Sequence, residues 1–172
     1  MRKLLTILFT IALLTLPALA AEEGEGLRVA LVDSGISSAV IAEERIAPGR
    51  SYIRPQDGTE DRLGHGTAVA AVIVGSEPAR LGGLCPTAAL VPLVYCSADE
   101  DGREVSGGSD MAAQAIRDAV DEYGCRIINV SSGSLTGSGA LRDAADYAAS
   151  RGVLVVASAG NHELTDPGAV YY

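Results

Sequence analysis

Four stretches of this sequence are almost wholly apolar yet only strand-long: Leu27 to Val32, Ala88 to Tyr95, Arg126 to Ser131 and Val153 to Ser158. A strand with one wet face alternates apolar and polar residues, whereas a continuous run belongs to a strand covered on both faces, as in a parallel sheet. Helix-like patterns with recognisable ends lie between the runs. Ser109 can cap one that continues to about Tyr123 with Gly124 as its stop, placing Met111, Ala115, Ile116, Ala119, Val120 and Tyr123 on one side. Ser138 can cap a second through Arg151 to Gly152, with Leu141, Ala145 and Ala148 on one side. A third, from about His65 through Val74, is small and apolar on nearly every face, which predicts burial. Strands alternating with helices predict an α/β fold: a doubly wound, mostly parallel sheet with helices on both faces and right-handed crossovers. Pro92 weighs against the second strand, because it has no N–H to donate to a ladder. The segments 54–64, 97–109 and 132–138, rich in Gly, Ser and acids, read as loops.

Residues 1–20 read as a secretory signal peptide, with Arg2 and Lys3 at the charged start, an apolar run from Leu4 to Leu16, and a small-x-small site at Ala18-Leu19-Ala20. The run is short, Pro17 interrupts it, and no later stop-transfer segment follows, so a membrane anchor is disfavoured. The expectation is a secreted or periplasmic mature chain, residues 21–172, forming one domain. Loss of Arg2 and Lys3 takes the formal net charge from −9 to −11, an excess of acid that argues against nucleic acid or an anionic membrane as partner. Cys85, Cys96 and Cys125 make an odd count, for which one disulfide and one leftover thiol is the simplest arithmetic in an oxidising compartment. Spacing does not choose the pair. No paired-histidine spacing is present, Gly75 to Leu84 lacks a convincing set of oxygen ligands, and no glycine-rich phosphate loop follows the first strand. Neither a metal nor a cofactor is expected.

In a parallel sheet, reactive groups gather where strands end and helices begin. Asp33 follows the first strand directly, in Val-Ala-Leu-Val-Asp-Ser-Gly-Ile; taken alone it reads as a turn residue or helix cap. His65 sits between glycines in Asp-Arg-Leu-Gly-His-Gly-Thr and opens a helix, whose N-terminus favours a neutral imidazole. Alone it reads equally as a loop histidine or a metal ligand. Asn161 follows the last strand through Ala157-Ser158-Ala159-Gly160, and its amide could donate to an oxyanion or simply serve a turn.

In order and context these three elements resemble the subtilisin-like serine proteases, over about residues 27–172, with Gly-His-Gly-Thr and Ala-Gly-Asn as the most specific parts. The resemblance implies that Asp33 is the triad carboxylate, His65 the general base and Asn161 the side-chain half of the oxyanion hole. It implies that Ser131-Ser132-Gly133 pairs with an extended peptide, and that Ala157, Ser158, Ala159 and Gly160 form the opposite wall of the specificity pocket. Ser132 stands where the family usually has Leu, so the adjoining subsite is expected to be more polar. The nucleophile's Gly-Thr-Ser is absent: Gly58-Thr59 and Gly66-Thr67 are followed by Glu60 and Ala68. Two expectations follow: a partial peptidase domain, incomplete at its C-terminus and inactive alone, that acts on peptide or protein substrates when complete; or an exported pseudoprotease that binds extended peptides without cutting them. Ala21 to Gly26 also leaves no room for the family's propeptide.

Overall fold

A computed structural model describes residues 24, 26–133 and 136–160; the expected signal peptide and Asn161 lie outside the described residues. The elements run β1 (Arg28–Asp33), β2 (Arg50–Ser51), α1 (His65–Val74), β3 (Ala89–Val94), β4 (Cys96–Ala98), β5 (Glu104–Ser106), α2 (Gly108–Asp121), β6 (Ile127–Val130), α3 (Gly139–Ser150) and β7 (Leu154–Ala157). Five strands form one sheet in the order β2-β3-β1-β6-β7, parallel throughout, with β1 at its centre.

Successive side chains of a strand point to opposite faces, and β1 divides its apolar residues accordingly. Ala30 and Val32, with Val91, Leu93 and Ile128, pack under Ala112, Ala115, Ile116, Ala119, Ala144 and Ala148 of α2 and α3. Val29 and Leu31, with Leu90, Ile36 and Ile41, pack against Ala70, Ala71 and Val74 of α1. Helices therefore cover both faces, as the continuous apolar runs predict. Leu31 is 1% exposed at the centre of the second cluster. Leu31→Ala is expected to lower stability by about 2–5 kcal/mol, the usual cost of a buried leucine cavity. A denaturant midpoint that moves by less than the equivalent of ~1 kcal/mol would show that the α1 face collapses around the void.

Pro92 does sit inside a strand. The carbonyls of Leu90 and Val94 accept from Ala47 and Tyr52, on the side away from β1. By the period of two, the Pro92 nitrogen also faces that side. The missing N–H thus costs no hydrogen bond to the central strand, and the chain at Gly49 passes so close to the Pro92 carbonyl that a Cβ there would lie 2.0 Å from its oxygen.

Four readings of the sequence are corrected. Ser109 is not the cap of its helix: α2 begins at Gly108 with Gly107 as N-cap and no side-chain cap bond, whereas Ser138 does cap α3 by accepting from the Leu141 N–H at 3.3 Å. The segment 97–109 is not a plain loop, because β4 and β5 pair antiparallel across it. Asp99 makes that turn, its carboxylate accepting from the N–H groups of Asp101 at 2.9 Å and Arg103 at 2.8 Å. The β7 run is not buried on both faces: Val155 packs with the cluster under α2 and α3, whereas Leu154 and Val156, on the opposite face, are 58% and 45% exposed. Finally, Cys96 and Cys125 are free thiols, so the expected disulfide is formed by neither. Cys125 is locked in the cluster under α2 and α3, on the opposite face of the sheet from Cys85.

Candidate active site

β1 carries Asp33 to the carboxyl edge of the sheet, where the residue is only 4% exposed. Gly64, at φ +84°, turns the chain through the left-handed region so that α1 can start at His65. The imidazole Nδ1 lies 2.8 Å from Oδ1 and 3.0 Å from Oδ2 of Asp33, and its N–H donates to the carboxylate. That bond selects the tautomer in which Nε2 is the proton acceptor. The side chain of His65 is 56% exposed, open to an incoming group. The Ser34 N–H holds the same carboxylate from behind at 2.7 Å. Close approach of α1 to the end of β1 depends on Gly66: a Cβ there would stand 2.2 Å from the Gly35 carbonyl oxygen and 3.2 Å from Asp33 Oδ1.

A residue that the sequence reading passed over lies beside this pair. Asp61 Oδ1 accepts from Ser34 Oγ at 2.8 Å, Leu63 N at 2.9 Å and Gly64 N at 2.8 Å. Its Oδ2 accepts from Thr67 N at 2.8 Å and Thr67 Oγ1 at 2.6 Å. Partial burial pushes the pKa of this carboxyl upward, but the bonds from Thr67, Gly64 and Ser34 outweigh it and hold the group below the ordinary carboxylate range. The only sequence signal was an acid four residues before a histidine in a polar loop, which has no period to mark it.

The segments expected to hold substrate continue two adjacent strands, β6 and β7, whose last pair is Val130 with Ala157. The Ser158 N–H extends that ladder to the Val130 carbonyl at 3.1 Å. Ser131 Oγ accepts from Asn129 Nδ2 at 2.7 Å, and Ser158 Oγ accepts from the Gly160 N–H at 3.0 Å. Ala159 is exposed between them. A groove of about 410 Å3 opens beside Ser132, Gly133 and Ala157, floored by Ile116, Leu141 and Val155. Ser132, expected to make this region more polar, is not solitary: its Oγ accepts from the Tyr95 hydroxyl at 2.7 Å.

Cys96 follows Tyr95 and feels the field of Asp33. Burial first, then the charges of Asp33, Glu104 and Asp61, push its thiol up to about 12. It stays protonated at neutral pH and cannot serve as a thiolate nucleophile. Among the described residues no group of three or more His, Cys, Asp or Glu is arranged to hold a metal ion, and no helix is long and apolar enough to cross a membrane.

An imidazole oriented by a buried carboxylate thus stands at the carboxyl edge of a parallel sheet with helices on both faces, an α/β arrangement. Residues 24–172 match the model of the subtilase family, and the chain belongs to that family. It is 37% identical over 139 residues to subtilisin BL of Lederbergia lenta, covering 80% of this chain and 49% of that protein. To thermitase of Thermoactinomyces vulgaris it is 31% identical over 153 residues, covering 87% of this chain and 53% of that one. Among solved structures it superposes on a psychrophilic protease, S41, with a TM-score of 0.71 at 30% identity, over 87% of this chain and 50% of the other. The chain thus spans about half the length of these relatives.

Proposed function

We propose that this chain is the exported N-terminal portion of a serine endopeptidase, supplying the general base, its orienting carboxylate and one strip of the substrate site. The bond between His65 Nδ1 and Asp33 carries the reading. In the reaction, Nε2 of His65 takes the proton of a serine hydroxyl as its oxygen attacks the peptide carbonyl, and Asp33 stabilises the resulting imidazolium. The carbonyl oxygen becomes the oxyanion, to which the Asn161 amide donates. The imidazolium then gives its proton to the leaving amine, leaving an acyl-enzyme that water opens by the same steps in reverse. An extended peptide lies against the backbone of Ser131, Ser132 and Gly133 on one side and of Ala157 to Gly160 on the other. The nucleophile is assigned to polypeptide outside this sequence, because no serine here stands in a Gly-Thr-Ser context and Cys96 is held protonated.

The absence of Gly-Thr-Ser also supports the second reading, a pseudoprotease that binds extended peptides. Both readings are tested together. The 172-residue chain is expected to form no covalent adduct with a serine-directed phosphonate and to show no turnover, while an extended peptide shifts the amide resonances of residues 131–133 and 157–160. A stoichiometric adduct with turnover that His65→Ala removes would overturn the assignment of the nucleophile. Hydrolysis regained when a serine-bearing C-terminal half of a relative is added selects the endopeptidase, whereas peptide binding with the added half bound and hydrolysis still absent selects the pseudoprotease.

A further inference from the structure

We propose that Asp61 is a positioning residue for His65, clamping the end of β1 to the start of α1 so that the imidazole keeps its Nδ1 proton on Asp33. This inference rests on the functional reading of the Asp33 and His65 pair and adds a third residue, a second carboxylate, to it.

The two reacting side chains sit on different elements, 32 residues apart, and something must hold those elements together. The backbone N–H groups on both sides of His65 are all committed to the same small cluster. Those of Leu63, Gly64 and Thr67 donate to Asp61, and that of Gly66 donates to Ser34 Oγ at 2.9 Å. Ser34 immediately follows Asp33, and its hydroxyl donates a hydrogen bond to Asp61 at 2.8 Å. Thr67, which also donates its hydroxyl to Asp61, accepts from the Ser37 N–H at 3.0 Å, tying the loop after β1 to α1 a second time. One carboxylate thereby fixes the backbone before His65, the backbone after it and the residue next to Asp33.

A carboxylate suits this place because every group facing it is a donor, and it has acceptor sites only. An asparagine there presents an NH2 to donors: either to the N–H and hydroxyl of Thr67, or to the amides of Leu63 and Gly64. It also forfeits the charge-assisted strength of the remaining bonds. The start of α1 is then free to move relative to β1, and His65 loses the register that aims Nδ1 at Asp33.

Imidazole tautomers give a readout that loss of general stability does not mimic. Which nitrogen carries the proton is set by the hydrogen bond of the other, and long-range proton–nitrogen correlation spectra report it directly. The chain has two histidines, so a His162→Gln background leaves His65 as the single signal. At a pH where the imidazole is neutral, His65 is expected in the Nδ1–H form. In Asp61→Asn, more than half of that form is expected to convert to the Nε2–H form that a free imidazole favours, with the methyl spectrum of the core unchanged. Ser34→Ala, which cuts the link from Asp61 to the residue beside Asp33, is expected to move the same way by a smaller amount. A folded Asp61→Asn that keeps the parent tautomer overturns the proposal. If that variant does not fold, Ser34→Ala decides, and an unchanged tautomer there overturns it. A parent chain whose His65 carries the proton on Nε2 fails earlier, because the Asp33 and His65 pair is then itself absent in solution.

Discussion

In a polypeptide that also carries the nucleophile, His65→Ala is expected to lower kcat for a peptide anilide by at least about 10^3-fold, within the range for a positioned general base. KM is expected to change little, because the strand-end segments 131–133 and 157–160, proposed to meet the peptide, adjoin β6 and β7 rather than α1. Asp33→Asn is expected to follow in the same direction: an amide NH2 facing Nδ1 favours the tautomer in which Nε2 already holds a proton and cannot accept another. Steady-state kinetics on the three proteins check this. A loss of less than tenfold in the His65 variant would remove that residue from the role of base.

The second large effect is expected at a residue with no side chain at all. A methyl group at Gly66 meets the Gly35 carbonyl oxygen at 2.2 Å, and both atoms belong to backbone that has no rotamer to escape into. Either α1 or the loop after β1 must yield by about an ångström, a displacement that can cost on the order of 10^2-fold in turnover. Gly66→Ala is therefore expected to combine a loss of that size in kcat with about 1–3 kcal/mol of overpacking. Gly64→Ala is the informative contrast. Nothing lies within 4 Å of a Cβ there, and its cost is the left-handed φ of +84° alone. It should lower Tm through the roughly 1–2 kcal/mol of an alanine in that region, while retaining the larger share of activity. Equal losses in kcat for the two variants would show that the contact with Gly35 does not set the geometry.

The pair at the centre of both arguments was legible because the physics that places it is periodic. An apolar run ending in Asp33, and a small-residue helix opening at His65, define a strand end and a helix start, and α1 runs from His65 to Val74 as its composition predicts. The two-faced core was legible for the same reason, through runs such as Val29 to Val32 that leave no polar side. What escaped is aperiodic. Asp61 acts through backbone amides that any sequence would supply, so its partners leave no trace in residue type. β4 and β5 are three residues each and carry Cys, Ser and Glu, too short and too polar to show alternation against the turn residues between them. Ser109 is a good cap by chemistry, but Gly107 and Gly108 let α2 start earlier. The exposure of Leu154 and Val156 depends on what packs on their face of the sheet, which local pattern does not encode.

The central position of β1 has a consequence in time. It is the first strand made, yet Arg28 pairs with Ala89 and Val29 with Ile127, partners about sixty and about a hundred residues downstream. At ~5–20 residues per second of synthesis, the second partner follows Val29 by about 5–20 s. Until β3 emerges, Leu31 and Val32, among the most buried of the described residues, have no strand to lie against, and one edge of β1 stays open until β6 follows. Growth of the chain therefore adds neighbours to β1 one edge at a time, β3 first and β6 later. The centre is laid down first, yet it has a neighbour on both edges only once β6 is made; before then its shelter rests on β3 and on nearby residues such as Ile36 and Ile41.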